Sequence, residues 1–135
     1  MTLRQEDKDV LAMYRLQRAN ETMAEVKGTM QLGYWRLAAN RLYYACYYAA
    51  CALLVKCNLT AHTHSGVITQ LGLHFVTKGI ISKEQNKLIK RLFELRQDGD
   101  YSDWSYIEEE DIVPLLEPAE NFIQTIEQLI NEKNN

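Results

Sequence analysis

The fold of this chain can be inferred from one stretch, Arg41–Leu54 (RLYYACYYAACALL), which combines four tyrosines with small and apolar residues. Such a stretch could be a membrane span, a helix buried in a helical bundle, or a surface on which nucleic acid bases stack. The nearly pure apolar run from Leu42 to Val55 has 14 residues, whereas a membrane span needs roughly 20. We therefore predict a buried helix and no membrane association.

The length and composition of the chain predict one globular domain over residues 1–135. The chain is 47% hydrophobic and 24% charged, which suits a protein that buries a core of its own. Its net charge of -3 gives no overall attraction to nucleic acid or to anionic membranes. The polar first residues do not resemble a signal peptide, and Cys46, Cys51 and Cys57 match no zinc framework. We expect reduced core cysteines in a cytoplasmic protein.

The quoted stretch belongs to a helix that we predict over residues 34–57. Its alanines form a small face, where the backbones of neighbouring helices can come close, and its tyrosines with Asn40 form the other half. Buried tyrosine hydroxyls need hydrogen-bond partners, so we expect this half to meet polar groups, a groove or another subunit. Core or dimer-interface tyrosines are the alternative to a surface for base stacking.

On both sides of this helix, apolar residues recur at helical spacing, which predicts further helices and no strand. An amphipathic helix over residues 6–31 precedes it, and a shorter helix that ends at Gly79 follows it. Ser82 and Gln85 form a capping box, which opens a fourth helix.

Gly99 and clustered aspartates break the pattern of the fourth helix, and a last helix runs to about Glu132. Pro114 and Pro118 near the start of the last helix predict either a kink or a later beginning. The predicted fold class is therefore all-α, an up-and-down bundle of four to five helices.

Arg96 departs from the helical pattern, because it projects near the centre of the apolar stripe of the fourth helix. An arginine in this position should be paired or should open into a polar groove. One interpretation is an internal salt bridge to Asp98 or Asp100, and the other is a guanidinium that binds phosphate. Charge is also unevenly distributed: Lys78–Arg96 carries six basic and two acidic residues, and Asp98–Glu120 carries nine acidic residues and no basic residue. These segments are either solvated faces or a basic helix beside a groove.

The three histidines, His62, His64 and His74, offer little support for a metal site. His62 and His64 are close in sequence, but no third ligand follows at a useful spacing. We expect a polar loop with His64 near a helix N-terminus, and no metal or cofactor.

Several segments together resemble the HEPN family (higher eukaryotes and prokaryotes nucleotide-binding domain), most closely its small stand-alone bacterial and archaeal members. They are RLAANRLYYACYYAACALL, HTHSG and ISKEQNKLIKRLFELRQDGDYSDW, followed by an acidic start to a C-terminal helix. The resemblance covers nearly the whole chain and implies a helical bundle, commonly a homodimer. Many members are metal-independent ribonucleases, and others act with a minimal nucleotidyltransferase as a toxin–antitoxin pair.

In the nuclease members, an arginine is followed by four to six residues and then by a histidine. These two side chains are brought together across the dimer interface. The arginine matches Arg96, but the window ends in Tyr101, Ser102 and Asp103, and no histidine follows. Histidine suits metal-free RNA cleavage because it can accept and donate protons near neutral pH. The expected function is therefore binding of RNA or a nucleotide, or partnership with a nucleotidyltransferase, without the usual catalytic histidine.

The resemblance and the helical projection together indicate two sets of site residues. Arg96, Asp100 and Tyr101 occupy the catalytic position, and the groove for nucleotide or RNA is expected to contain Asn40, Arg41, Tyr44 and Tyr48. One alternative is a toxin ribonuclease that uses Arg96 with Tyr101 or Asp100. A second is a purely structural helical dimerisation module, in which Arg96 only forms a salt bridge.

Overall fold

The computed structural model describes residues 3–101 and 106–133, and it folds them into an all-α bundle. The helices are α1 (Gln5–Gln31), α2 (Trp35–Lys56), α3 (His64–Leu71), α4 (Lys83–Tyr101) and α5 (Glu109–Lys133). A short π-helical segment, Gly72–Val76, continues α3. Within these ranges the chain forms no strand, and the predicted fold class is confirmed.

Helix α2 lies at the centre of the bundle and packs against each of the other four helices. Its alanine face consists of four side chains that are 0% exposed: Ala38, Ala45, Ala49 and Ala52. Because these side chains are small, the backbones of neighbouring helices must come close to fill the space around them, as the interior of a protein is packed with few voids. The prediction of a buried central helix is confirmed. In the part of the chain that the structure covers, no helix combines the length and hydropathy of a membrane span.

Helix α4 begins as predicted but ends later. The Ser82 hydroxyl accepts a hydrogen bond from the Gln85 amide (3.0 Å), and the Gln85 side chain accepts one from the Ser82 amide (3.1 Å). At the other end, the helix continues through Gly99, so the predicted break there was wrong. Gly99 is buried, and its carbonyl accepts a hydrogen bond from Arg36 Nε of α2 (3.1 Å). This contact stabilises a last turn that glycine alone disfavours.

Helix α5 contains both prolines in its interior, so it does not begin after them. Each proline removes one backbone hydrogen bond. The helix is held by an apolar stripe that is buried against the bundle: Ile112, Ala119, Phe122, Ile123, Ile126 and Ile130. Burial of this stripe offsets the lost hydrogen bonds.

Candidate functional site

Arg96 lies in the last turns of α4, and its guanidinium is held on several sides. Nε lies 3.1 Å from Asp100 Oδ2, and Nη2 donates a hydrogen bond to Tyr101 Oη (3.1 Å). The Arg96 Cζ atom lies 5.3 Å from the ring centre of Tyr44 and 5.2 Å from that of Tyr101, within the range of cation–π attraction. The side chain is only 12% exposed. The expected ion pair between Arg96 and a neighbouring aspartate is present, and Asp100 is the partner.

This ion pair leaves Arg96 incompletely satisfied. Nε is buried and makes no hydrogen bond to any residue that the structure describes, because its N–H is poorly aligned with the Asp100 oxygen. Nη1 also has no hydrogen-bond partner among residues 3–101 and 106–133, but it is not among the buried atoms. Arginine carries five donors in a fixed planar fork. The Arg96 guanidinium therefore keeps a donor available for an incoming acceptor.

Helix α2 supplies a second guanidinium beside the first. Asn40 Nδ2 donates to Asp100 Oδ2 (3.0 Å), and Asn40 Oδ1 accepts hydrogen bonds from Arg41 Nε (3.0 Å) and Nη2 (2.8 Å). Arg41 Cζ lies 5.5 Å from the Tyr44 ring centre, and Nη1 lies 3.3 Å from Glu25 Oε2 of α1. Asp100 and Asn40 thus connect the two arginines around one tyrosine ring.

Helix α1 adds a third arginine at the far side of the tyrosines. Tyr48 lies 5.8 Å from Tyr44 between ring centres, and Arg18 Cζ lies 5.2 Å from the Tyr48 ring centre. All seven site residues predicted from the sequence therefore lie in one contiguous cluster. We call the part formed by Arg18, Arg41, Arg96, Tyr44, Tyr48 and Tyr101 the arginine–tyrosine surface. Of the residues in the histidine window, Ser102 and Asp103 lie outside the described part of the chain.

Besides Arg18, His64 is a residue of this region that the sequence did not assign to the site. It begins α3, as expected, but its ring enters the tyrosine half of α2, where Nδ1 lies 2.6 Å from Tyr43 Oη. The ring stacks on Tyr47, with 4.5 Å between ring centres, and lies 5.9 Å from Phe93 of α4 at a small interplanar angle of 21°. One sequence signal existed: a tyrosine inside an apolar helix needs a polar partner.

Burial changes the titration of this group of side chains. Burial raises the pKa of Tyr43 far above its usual range and raises the pKa of Tyr47 to about 12. Burial, followed by the charge of Arg96, lowers the pKa of His64 from its usual value. Both effects favour the neutral forms of the rings. Among the described residues, no group of histidine, cysteine and carboxylate side chains could hold a metal ion.

The sequence and the structure of this chain are both similar to those of known proteins. A sequence model of the HEPN domain matches residues 12–129. The chain is 35% identical over 126 residues to "UPF0332 protein" of Thermotoga maritima, covering 93% of this chain and 96% of that protein. It is 33% identical over 114 residues to "Putative toxin MJ0605" of Methanocaldococcus jannaschii, covering 84% of each. The crystal structure of TT1696 from Thermus thermophilus shares the fold, with a TM-score of 0.74, 18% identity, and coverage of 87% of this chain and 96% of that chain.

Proposed function

This chain belongs to the HEPN domain family, and we propose that it binds single-stranded RNA or a nucleotide on the arginine–tyrosine surface. One observation carries the proposal. On one side of the bundle, each of three guanidinium groups lies over a tyrosine ring, although the whole protein has a net charge of -3.

The chemistry of this surface matches the chemistry of a nucleic acid strand. Arginine neutralises phosphates, and exposed aromatic rings stack with bases of any sequence. A local cluster of cations acts within about 8 Å in physiological salt, so the net charge of the protein does not prevent it from binding an anion. Arg41 would exchange its exposed ion pair with Glu25 for a phosphate at little cost, because such pairs contribute about 0–1 kcal/mol.

Asp100 and Tyr101 have roles in this proposal that do not require cleavage. Asp100 is engaged by Arg96 and by Asn40, so it positions these two side chains for a ligand. Tyr101 is 71% exposed and accepts a hydrogen bond from Arg96. In this proposal its exposed ring stacks on a base next to the phosphate that Arg96 binds.

A biological context is suggested by one relative. The name of the Methanocaldococcus jannaschii protein proposes a toxin, and we extend that context to this chain. In this proposal the protein forms a homodimer in the cytoplasm and pairs with a minimal nucleotidyltransferase. Co-expression and co-purification of the two proteins test the pairing, and separate elution on size exclusion would count against it.

The experiment that tests RNA binding compares two arginines of the same helix. We would measure fluorescence anisotropy of a short labelled single-stranded RNA of mixed sequence, in EDTA. Arg96→Gln is expected to weaken binding about tenfold or more, because a charged hydrogen bond to phosphate is lost. Arg91→Gln is the matched control: Arg91 is exposed on α4 and pairs only with Glu94 among the described residues. It is expected to change binding less than about twofold.

The same samples, run on a denaturing gel, separate binding from cleavage. Intact RNA after long incubation with the wild-type protein supports a binding module. Cleavage that Arg96→Gln abolishes would instead establish the ribonuclease alternative. If both variants bind RNA as the wild type does, the arginine–tyrosine surface is not the binding site. If the wild-type protein binds no RNA, the purely structural alternative is favoured.

A further inference from the structure

We propose that His64 is a second phosphate-binding group of this site, held by Tyr43 in the tautomer that carries its proton on Nε2. The inference rests on the proposed function, in which Arg96 is the first phosphate-binding group. It assigns a role to a histidine that lies well before Arg96 in the sequence and outside the usual histidine window of the family.

The tautomer follows from the burial of Tyr43. The side chain is fully buried, and burial keeps its pKa so high that the phenol retains its proton. A buried hydroxyl needs an acceptor for that proton, and His64 Nδ1, at 2.6 Å, is the acceptor that the structure provides. A nitrogen that accepts a hydrogen bond has no proton of its own, so the proton of the neutral ring must be on Nε2.

The Nε2–H group is then available to a ligand. Within the described ranges it has no hydrogen-bond partner, and it is not among the buried unsatisfied atoms. Because burial and the charge of Arg96 lower the pKa of His64, the ring is neutral near neutral pH. In this form it acts as a hydrogen-bond donor rather than as a base, and it does not repel Arg96.

The position of the ring is fixed from several sides. It stacks against Tyr47 of α2 and Phe93 of α4, and its ring centre lies 6.0 Å from that of Tyr44. Arg96 Cζ lies 5.3 Å from the same Tyr44 ring. His64 and Arg96 therefore share Tyr44 as a neighbour, and they can bind one phosphate or consecutive phosphates of a single strand.

The test uses the same labelled RNA in EDTA, near neutral pH, with variants that separate the donor from the ring. His64→Phe keeps an aromatic ring in the stack but removes the N–H, and it is expected to weaken binding about three- to tenfold. His64→Gln keeps an N–H donor near the Nε2 position and is expected to retain most of the affinity. His62→Leu changes an exposed histidine two residues earlier and is expected to leave binding unchanged.

Two results distinguish the possible failures. If His64→Phe binds RNA as tightly as the wild type while Arg96→Gln binds weakly, this inference is wrong and the proposed function stands. If the wild-type protein binds neither the RNA nor a labelled nucleotide, the proposed function is wrong, and the phosphate role of His64 is wrong with it. Circular dichroism checks the fold of each variant. Where His64→Phe is unfolded, the double variant Tyr43→Phe with His64→Phe removes the unpaired hydroxyl and takes its place.

The tautomer has a readout that needs no RNA. Imidazole nitrogen chemical shifts in NMR distinguish a protonated ring nitrogen from an unprotonated one. We expect an unprotonated Nδ1 and a protonated Nε2 in the wild-type protein, and a mixture of tautomers in Tyr43→Phe. A protonated Nδ1 in the wild type would overturn the assignment, whatever the RNA result.

Discussion

The two faces of α2 differ in what they require of their neighbours. The alanine face is fully buried and needs only close-fitting backbones and side chains from the adjacent helices. The tyrosine face carries hydroxyls and rings, and the groups that meet them come from three other helices: Arg18 from α1, His64 from α3 and Arg96 from α4. One face therefore contributes mainly to stability, and the other gathers groups that can bind a ligand.

The largest effect is expected on the alanine face. Ala45→Leu would place three more carbon atoms where the side chain is fully buried, and overpacking of this kind costs about 1–3 kcal/mol or more. We expect the free energy of unfolding, measured in urea, to fall by about 3 kcal/mol. A loss below about 1 kcal/mol would mean that the two faces do not differ as described.

A smaller effect, on binding rather than on stability, is expected on the tyrosine face. Tyr44→Leu removes the ring that both Arg41 and Arg96 contact. Stacking of one base contributes about 1–3 kcal/mol, so we expect RNA affinity to fall by about 2 kcal/mol, measured by anisotropy. Exposed Tyr34→Leu, at the N-terminal end of α2, is the control for loss of a tyrosine outside the surface. Equal affinity of Tyr44→Leu and the wild type would contradict the proposed surface.

A still smaller effect is expected at Tyr43, which is the fully buried member of the four tyrosines of α2. Tyr43→Phe removes the hydroxyl that is bonded to His64, and a hydrogen bond of this type contributes about 1 kcal/mol to stability. We expect a loss of about that size in chemical denaturation. A more stable variant would show that burying the hydroxyl costs more than its hydrogen bond contributes.

The smallest expected effect is a pH dependence that belongs to His64. In the unfolded chain His64 titrates near 6.5, and in the folded protein its pKa is lower. Between these two values the unfolded chain holds a proton that the folded chain does not, so stability falls as pH drops through this window. Above the unfolded value this residue adds no pH dependence. We subtract the unfolding free energy of His64→Gln from that of the wild type. This difference should decrease slightly as the pH is lowered through the window. A constant difference would contradict the lowered pKa.

The sequence was most informative where the determining contacts are local. Arg96 was identified because an arginine interrupts an apolar stripe, and its partners Asp100 and Tyr101 lie within five residues of it. The alanine face of α2 was also predictable, because residue size and helical period suffice to define it.

What could not be predicted depends on how distant elements meet. His64 reaches Tyr43 across 21 residues, and only the direction of α3 places its ring between α2 and α4. The continuation of α4 through Gly99 depends on Arg36, which is 63 residues away. Local propensity favoured a break at this glycine, and a packing contact overrode it.

The junction of α4 with the start of α2 has a consequence for the order of folding. The last turn of α4 is held by Arg36 on the Gly99 carbonyl and by Asn40 on Asp100, contacts that span 63 and 60 residues. Contacts of such long range form only after the helices have come together. This turn is therefore expected to order late and to open locally before the rest of the bundle. Each such opening would separate Asp100 and Tyr101 from Arg96, so the lifetime of the site would be shorter than that of the fold that carries it.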